Sequence, residues 1–205
     1  MKNWVPLESN PELLTEYARK LGMPEELAFH EVLSFEDWAV DLVPKPVRAA
    51  IFLYPLTSTD VEAPLVDEDT ADVFFTRQTI GNACGTIAIL HILANSAFVS
   101  CSFIDDFVKR GKGQTPVMRA RLLEDSEELD DHHAAAAGDA LEEVDTHFIA
   151  FIEKNGKLIA LDGRKSGPID HGNISDFLPG VIKVVLEQFV AARPDEVRFS
   201  LLALA

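Results

Sequence analysis

Gln78-Thr-Ile-Gly-Asn-Ala-Cys84-Gly-Thr-Ile-Ala-Ile-Leu-His91 sets one cysteine among small residues, directly ahead of an apolar run. From Thr86 to Asn95 the chain is apolar nearly all round, the pattern of a helix buried in the middle of a domain. Gly85 near the start of that run puts Cys84 in the first helical turn. Unpaired N–H groups there favour negative charge and lower a thiol pKa. A thiol so placed serves as core packing, a metal ligand, half of a disulfide, or a nucleophile. The rest of the chain has to choose.

Only one other cysteine, Cys101, occurs among the 205 residues. That is too few for a secreted disulfide framework, and no C-x-x-C metal pair is present. Cys101 reads as core packing. The opening MKNWVPLESNPELL carries Trp, Pro, Glu and Asn where a signal peptide has an apolar stretch, so no leader is expected. No run approaches the roughly 18 apolar residues of a membrane span. A reduced, cytoplasmic setting follows. The net charge of −16 and pI of about 4.6 argue against nucleic acid and anionic membranes as partners. They are compatible with a basic partner and equally with simple solubility.

Ser9 to Leu21 predicts a helix, capped by Ser9 or Asn10, with Pro11 in the first turn and Gly22 as the stop. A second short helix is expected around Pro24 to Phe29. Val47 to Tyr54 reads as an apolar strand ended by Pro55, Asp60 to Asp72 as an acidic loop, and Val73 to Arg77 as an extended lead into the cysteine motif. Helical pieces are expected at Ser102 to Arg110 and Thr115 to Glu124. Asp125 to Val144 is acidic, alanine-rich and poor in large apolar residues. It reads as a long exposed or mobile connection with transient helix in the alanines. His147 to Glu153 and Leu158 to Asp162 read as strands, and Asn155-Gly156 between them is a strong hairpin signal. A helix around Ile174 to Ala192, interrupted near Pro179-Gly180, and a strand from Val197 to Ala205 complete the chain. With 47% hydrophobic and 25% charged residues and no linker, one α+β domain over residues 1–205 is the economical reading.

A catalytic thiol needs a histidine to take its proton and a group to orient that histidine. His147 opens the first hairpin strand and Asp162 ends the second, so pairing of the strands brings both to one end. The order cysteine, histidine, acid is that of papain-like thiol hydrolases. The Cys84 N–H and the Gln78 amide are candidate oxyanion donors, each worth roughly 3–4 kcal/mol when buried and aimed. Each assignment has a plainer rival: His147 as an ordinary strand residue, Asp162 as the opener of the Leu-Asp-Gly-Arg turn, Cys84 as core. His91 reads as a core histidine. His132 and His133 make a weak metal site, and His30 and His171 have no obvious partner.

QTIGNACGTIAILH, with DTHFIAF, LIALDGRKSGPIDHG and RPDEVRFSLLAL, resembles the ubiquitin C-terminal hydrolases, a family of deubiquitinating cysteine proteases. NWVPLESNPELLTEYARKLGM looks like the start of their catalytic domain in the short cytosolic members, without the C-terminal extension of the larger ones. The resemblance runs from Trp4 to Leu204. It implies Cys84 as nucleophile, His147 as general base, Asp162 as its orienting residue and Gln78 as the oxyanion-hole side chain, with no cofactor and no metal. It implies an α/β/α layered, papain-like fold with a mostly antiparallel sheet and a knotted backbone. It also implies a crossover loop over the site at about residues 125–144, restricting leaving groups to small adducts or short peptides. The implied partner is ubiquitin, bound through a basic tail ending in Gly-Gly, with Glu8, Glu12, Glu31 and Glu196 as the matching acids; a monomer is expected. Two alternatives stand beside this reading: a preference for a ubiquitin-like modifier such as NEDD8, and a ubiquitin-binding module with an idle site.

Overall fold

A computed structural model describes residues 2–57, 60, 73–97, 102–137 and 144–205. In chain order the elements are α1 (Pro11–Leu21), β1 (Phe29–Glu31), α2 (Asp37–Leu42), β2 (Ala49–Pro55), α3 (Cys84–Asn95), α4 (Phe103–Gly111), α5 (Pro116–Glu124) and α6 (Glu127–Ala136). They continue with β3 (Thr146–Lys154), β4 (Lys157–Leu161), β5 (Ile169–Asn173), α7 (Phe177–Val184), a π-helical turn (Val185–Val190) and β6 (Ser200–Leu204).

The six strands form one sheet in the order β1-β6-β2-β3-β4-β5, every pair antiparallel. The centre is apolar on both faces because both faces are covered. Phe148, Ala150 and Ile152 of β3 face one core with α1, α3 and α4, while Ile149 and Phe151 face a second core with α2 and α7. That two-sided burial is why these strands read as continuous apolar runs rather than alternating ones. The result is the α+β layered architecture expected, with helices on either side of an antiparallel sheet. A knot is a property of the whole chain path, and that path includes segments outside the described residues.

Several local signals act as read. Asn10 accepts hydrogen bonds from the Glu12 and Leu13 N–H groups, and Gly22 closes α1 with its N–H on Ala18 and Arg19 carbonyls. Asn155 and Gly156 take φ of 54° and 76°, the two positive values a tight hairpin turn needs. Others do not. Pro24 to Leu27 forms a turn, and Phe29–Glu31 pairs with β6 instead of entering a helix. A segment that short gains little from helical bonds, whereas a sheet edge satisfies its backbone at once. Pro179 does not interrupt α7, since it sits in the first turn where its missing N–H costs nothing; the irregularity comes later, at the π turn.

The largest correction concerns Asp125 to Val144. Glu127–Ala136 is a helix, capped by Ser126 on the Leu129 N–H, with Glu127, Glu128 and Asp130 at its positive end. Leu129 and His133, one turn apart, are buried, and the helix packs against α1. Ala136 at its end packs against the same core. Residues 138–143 lie outside the described residues, as do Asp60's neighbours 61–72 in the expected acidic loop.

Candidate active site

Cys84 is the first residue of α3, and the preceding Ala83 offers no side-chain cap. The first-turn N–H groups are therefore free to meet the sulfur. Burial alone would push this thiol up. Against it act a hydrogen bond and charge from His147 and backbone N–H bonds from Phe148 and Gly85, and the net result holds Cys84 below the ordinary thiol value.

His147 sits near the start of β3 and is buried, with 2% of its surface exposed. Its Nε2 lies 2.7 Å from Asp162 Oδ1, leaving Nδ1 as the nitrogen for the Cys84 thiol. The hairpin makes this pair: Ala150 is opposite Leu161, so Asp162 follows the last ladder pair and reaches the imidazole diagonally. Burial works against a charged imidazole here, but hydrogen bonds to Asp162 and Cys84 raise His147 to about 9. Asp162 also accepts the Arg164 N–H at 2.9 Å, and together with His147 this holds its carboxyl below the usual range despite burial. The Tyr54 ring stands edge-on to His147 at 5.9 Å, directly across the β2–β3 ladder, and Arg193 lies over the same tyrosine at 5.1 Å. Sequence reading missed Tyr54; its cross-strand register with His147 was the signal available.

Gln78 is tied to the same hairpin through its backbone N–H, which donates to the Gly163 carbonyl at 2.9 Å. A side chain at Gly163 would place Cβ 2.9 Å from both Gln78 Cβ and Ile87 Cγ2, so only glycine lets this turn approach. The Gln78 amide is loosely held. Its Nε2 donates to Ile80 O at 3.3 Å, and its buried Oε1 has no partner among the described residues.

Gln78, Cys84 and His147 line one open cleft of about 860 Å³, together with Thr79, Asn82 and Arg164. Glu8, Glu12, Glu31 and Glu196 do not line it. Glu8, Glu12 and Glu31 are exposed, Glu12 borders a separate depression with Glu16 and Lys20, and Glu196 clasps Arg198 at 2.8 Å. The remaining histidines scatter. His132 lies 3.7 Å from Glu128, while the adjacent His133 is buried beneath Trp4. His91 stacks on Phe75 and bonds the Thr76 backbone, as a core histidine does. His30 stands in β1 and His171 in β5. Among the described residues no group of three or more His, Cys, Asp or Glu side chains is placed to hold a metal ion, and no helix is long and apolar enough to cross a membrane. Cys101 lies outside the described residues.

A family model described as ubiquitin carboxyl-terminal hydrolase, family 1, matches residues 4–191. The chain belongs to this family. As one of these hydrolases it is a ubiquitinyl hydrolase of the cysteine-peptidase type. It is 38% identical to ubiquitin carboxyl-terminal hydrolase 3 of Arabidopsis thaliana, across 100% of this chain and 94% of that protein. It is 39% identical to a ubiquitin carboxyl-terminal hydrolase of Drosophila melanogaster, across 100% of this chain and 98% of that protein. Among solved structures it is similar to the Trichinella spiralis UCH37 catalytic domain bound to ubiquitin vinyl methyl ester, with a TM-score of 0.83 and 27% identity. That match covers 98% of this chain and 95% of the other. The family model stops short of β6, yet in this hydrolase β6 is the strand that joins β1 to β2.

Proposed function

We propose that this hydrolase cleaves the bond following the terminal glycine of ubiquitin, with Cys84 as nucleophile, His147 as proton carrier, Asp162 as its orienting carboxylate and Gln78 as oxyanion donor. The observation that carries the reading is the single buried imidazole joining a thiol at a helix start to a buried carboxylate. Lowering of the thiol and raising of the imidazole both favour the thiolate–imidazolium form of this pair.

The thiolate attacks the glycyl carbonyl carbon, and the carbonyl electrons move onto oxygen. The Cys84 N–H and the Gln78 amide donate to that oxyanion; the loosely held amide can turn to do so at little cost. His147 gives its proton to the leaving amine or thiol as the C–N or C–S bond breaks, producing a glycyl thioester. Neutral His147 then removes a proton from water, which attacks the thioester; collapse expels the thiolate and releases ubiquitin with a free carboxylate. Asp162 keeps Nε2 engaged throughout, so Nδ1 stays aimed at the reacting atoms.

Ubiquitin as the partner is supported by the family and by the ubiquitin vinyl methyl ester bound to the UCH37 relative. The net charge of −16 steers a basic tail toward the enzyme in a salt-dependent way. The acids that the resemblance matches to that tail, Glu8, Glu12, Glu31 and Glu196, supply the local guidance, the last of them paired with Arg198. Six residues join Ala137 to Val144, and Val144 borders the cleft. The preference for a small adduct or a short peptide as leaving group rests on the family resemblance.

The test is release of a fluorogenic amine from the C-terminus of ubiquitin, with NEDD8 carrying the same amine beside it. Rapid release by wild type and none by Cys84→Ala, which still binds ubiquitin, is the expected result. Turnover by Cys84→Ala overturns the mechanism, and faster release from NEDD8 overturns the substrate.

A further inference from the structure

Away from the cleft, one buried chain of polar groups is used by nothing in the mechanism. Tyr17 of α1 meets Thr86 of α3 at 3.0 Å between hydroxyls, Thr86 Oγ1 meets His133 Nδ1 at 2.8 Å, and His133 Nε2 meets the Val5 carbonyl at 2.7 Å. Tyr17, Thr86 and His133 are each exposed by 2% or less. The proton order is fixed by the far end. A carbonyl only accepts, so Nε2 carries the hydrogen; a neutral imidazole then accepts at Nδ1. Thr86 must donate to His133 and accept from Tyr17. Every hydroxyl and both ring nitrogens are then satisfied, a condition met only with His133 neutral. Burial holds it there by lowering its pKa.

This chain bears on Cys84 from two sides. Thr86 lies two residues past Cys84 in the same helical turn. Val5 belongs to the N-terminal segment that clamps the residues before Cys84: Gly81 N–H donates to Lys2 O at 2.9 Å, Trp4 N–H to Gly81 O at 3.0 Å, and Asn82 Nδ2 to Trp4 O at 3.0 Å. Asn82 holds a φ of 58° within this clamp. The same segment is pinned to α6. Trp4 stacks on His133 at 4.1 Å and donates to Asp130 at 3.0 Å, and Lys2 meets Asp130 at 2.6 Å.

We propose that His133 is a positioning residue for Cys84, holding the nucleophile's helix through Thr86 and the turn before it through Val5 and the N-terminal clamp. The proposal rests on the reading of Cys84 as the nucleophile. Its reach is physical: a displacement of about 1 Å at a reacting atom costs on the order of 100-fold in rate. One imidazole fixes both sides of the thiol and links it to α6, whose chain returns to the cleft at Val144.

The experiment is iodoacetamide alkylation of the full chain across pH 5 to 10, read at Cys84 by peptide mass mapping so that Cys101 does not interfere, alongside a thermal melt. His133→Ala, His133→Gln, His133→Asn and Thr86→Val are compared with wild type. Expected is a wild-type midpoint below that of an ordinary thiol, moved up by about one pH unit in folded His133→Ala, with alkylation below that midpoint slowed in proportion to the thiolate lost. Thr86→Val breaks the helix route alone and gives part of the shift. Gln retains a donor for Val5 and Asn an acceptor for Thr86, so both fall between wild type and Ala. If His133→Ala fails to fold, Thr86→Val and His133→Gln decide in its place. A lowered melting temperature with an unmoved midpoint in folded variants overturns the positioning role. An ordinary midpoint in wild type itself overturns the nucleophile reading beneath it.

Discussion

The two helical layers that sandwich the sheet are built from different materials. The layer of α2, α7 and the π turn buries Val40, Phe177, Leu178, Val181 and Val185 against Phe52 and Phe151, and contributes none of the buried polar side chains among the described residues. The layer around α3 is threaded with Thr15, Thr86, His91, Arg119 and His133, each bonded to another element or to the chain. Apolar contacts are non-directional and tolerate repacking, whereas buried hydrogen bonds fix distance and angle and penalise any partner left alone. One side of the sheet supplies stability; the other supplies stability and aim.

Substitutions should therefore separate rate from stability by layer. The largest effect is expected at Cys84, where alanine removes turnover by roughly 10⁴-fold or more while the melting temperature stays near that of wild type. Asp162→Asn comes next, lowering kcat by roughly 10²–10⁴-fold. It should also move the alkaline limb of the pH–rate profile. His147 is raised to about 9 partly by Asp162, so wild type loses activity as pH rises through that value and the variant loses it at lower pH. Leu178→Ala in the opposite layer inverts the pattern: about 3–4 kcal/mol of stability is lost by urea denaturation, with kcat per folded molecule unchanged. A large kcat loss there would break the comparison. The smallest effect concerns His91, which burial lowers to about 4 from an ordinary 6.5. The unfolded chain binds the extra proton between those values. Stability is then full above pH 6.5 and falls as pH drops toward 4, by at most about 3 kcal/mol. His91→Phe should flatten the urea midpoint across that window.

What was legible in the sequence follows the range of the physics involved. The hairpin was readable because Asn155-Gly156 fixes its own turn, and the His147–Asp162 pair followed from strand pairing. The Cys84 placement was readable because a helix start is local. β1 was not, because Phe29–Glu31 is a strand only where β6 offers an edge, some 170 residues away in the chain. α6 was not, because its composition suggested a solvated connection and its burial rests on one pair, Leu129 and His133, meeting α1. The His133 chain joins four distant segments, and no spacing announces such a chain.

The turn at Asn155-Gly156 has a genetic consequence. It lies far along the hairpin from the reacting atoms and touches none of them, yet it counts out the residues between His147 and Asp162. A strand alternates its sides at every residue, so a codon inserted or deleted there must be absorbed by the loop, because a one-residue slip of register would point the carboxylate away from the imidazole while leaving both residues in the sequence. Point substitutions there cost a fraction of the stability; a change of length that slips the register would silence the enzyme. For this stretch the gene is constrained in length more tightly than in spelling.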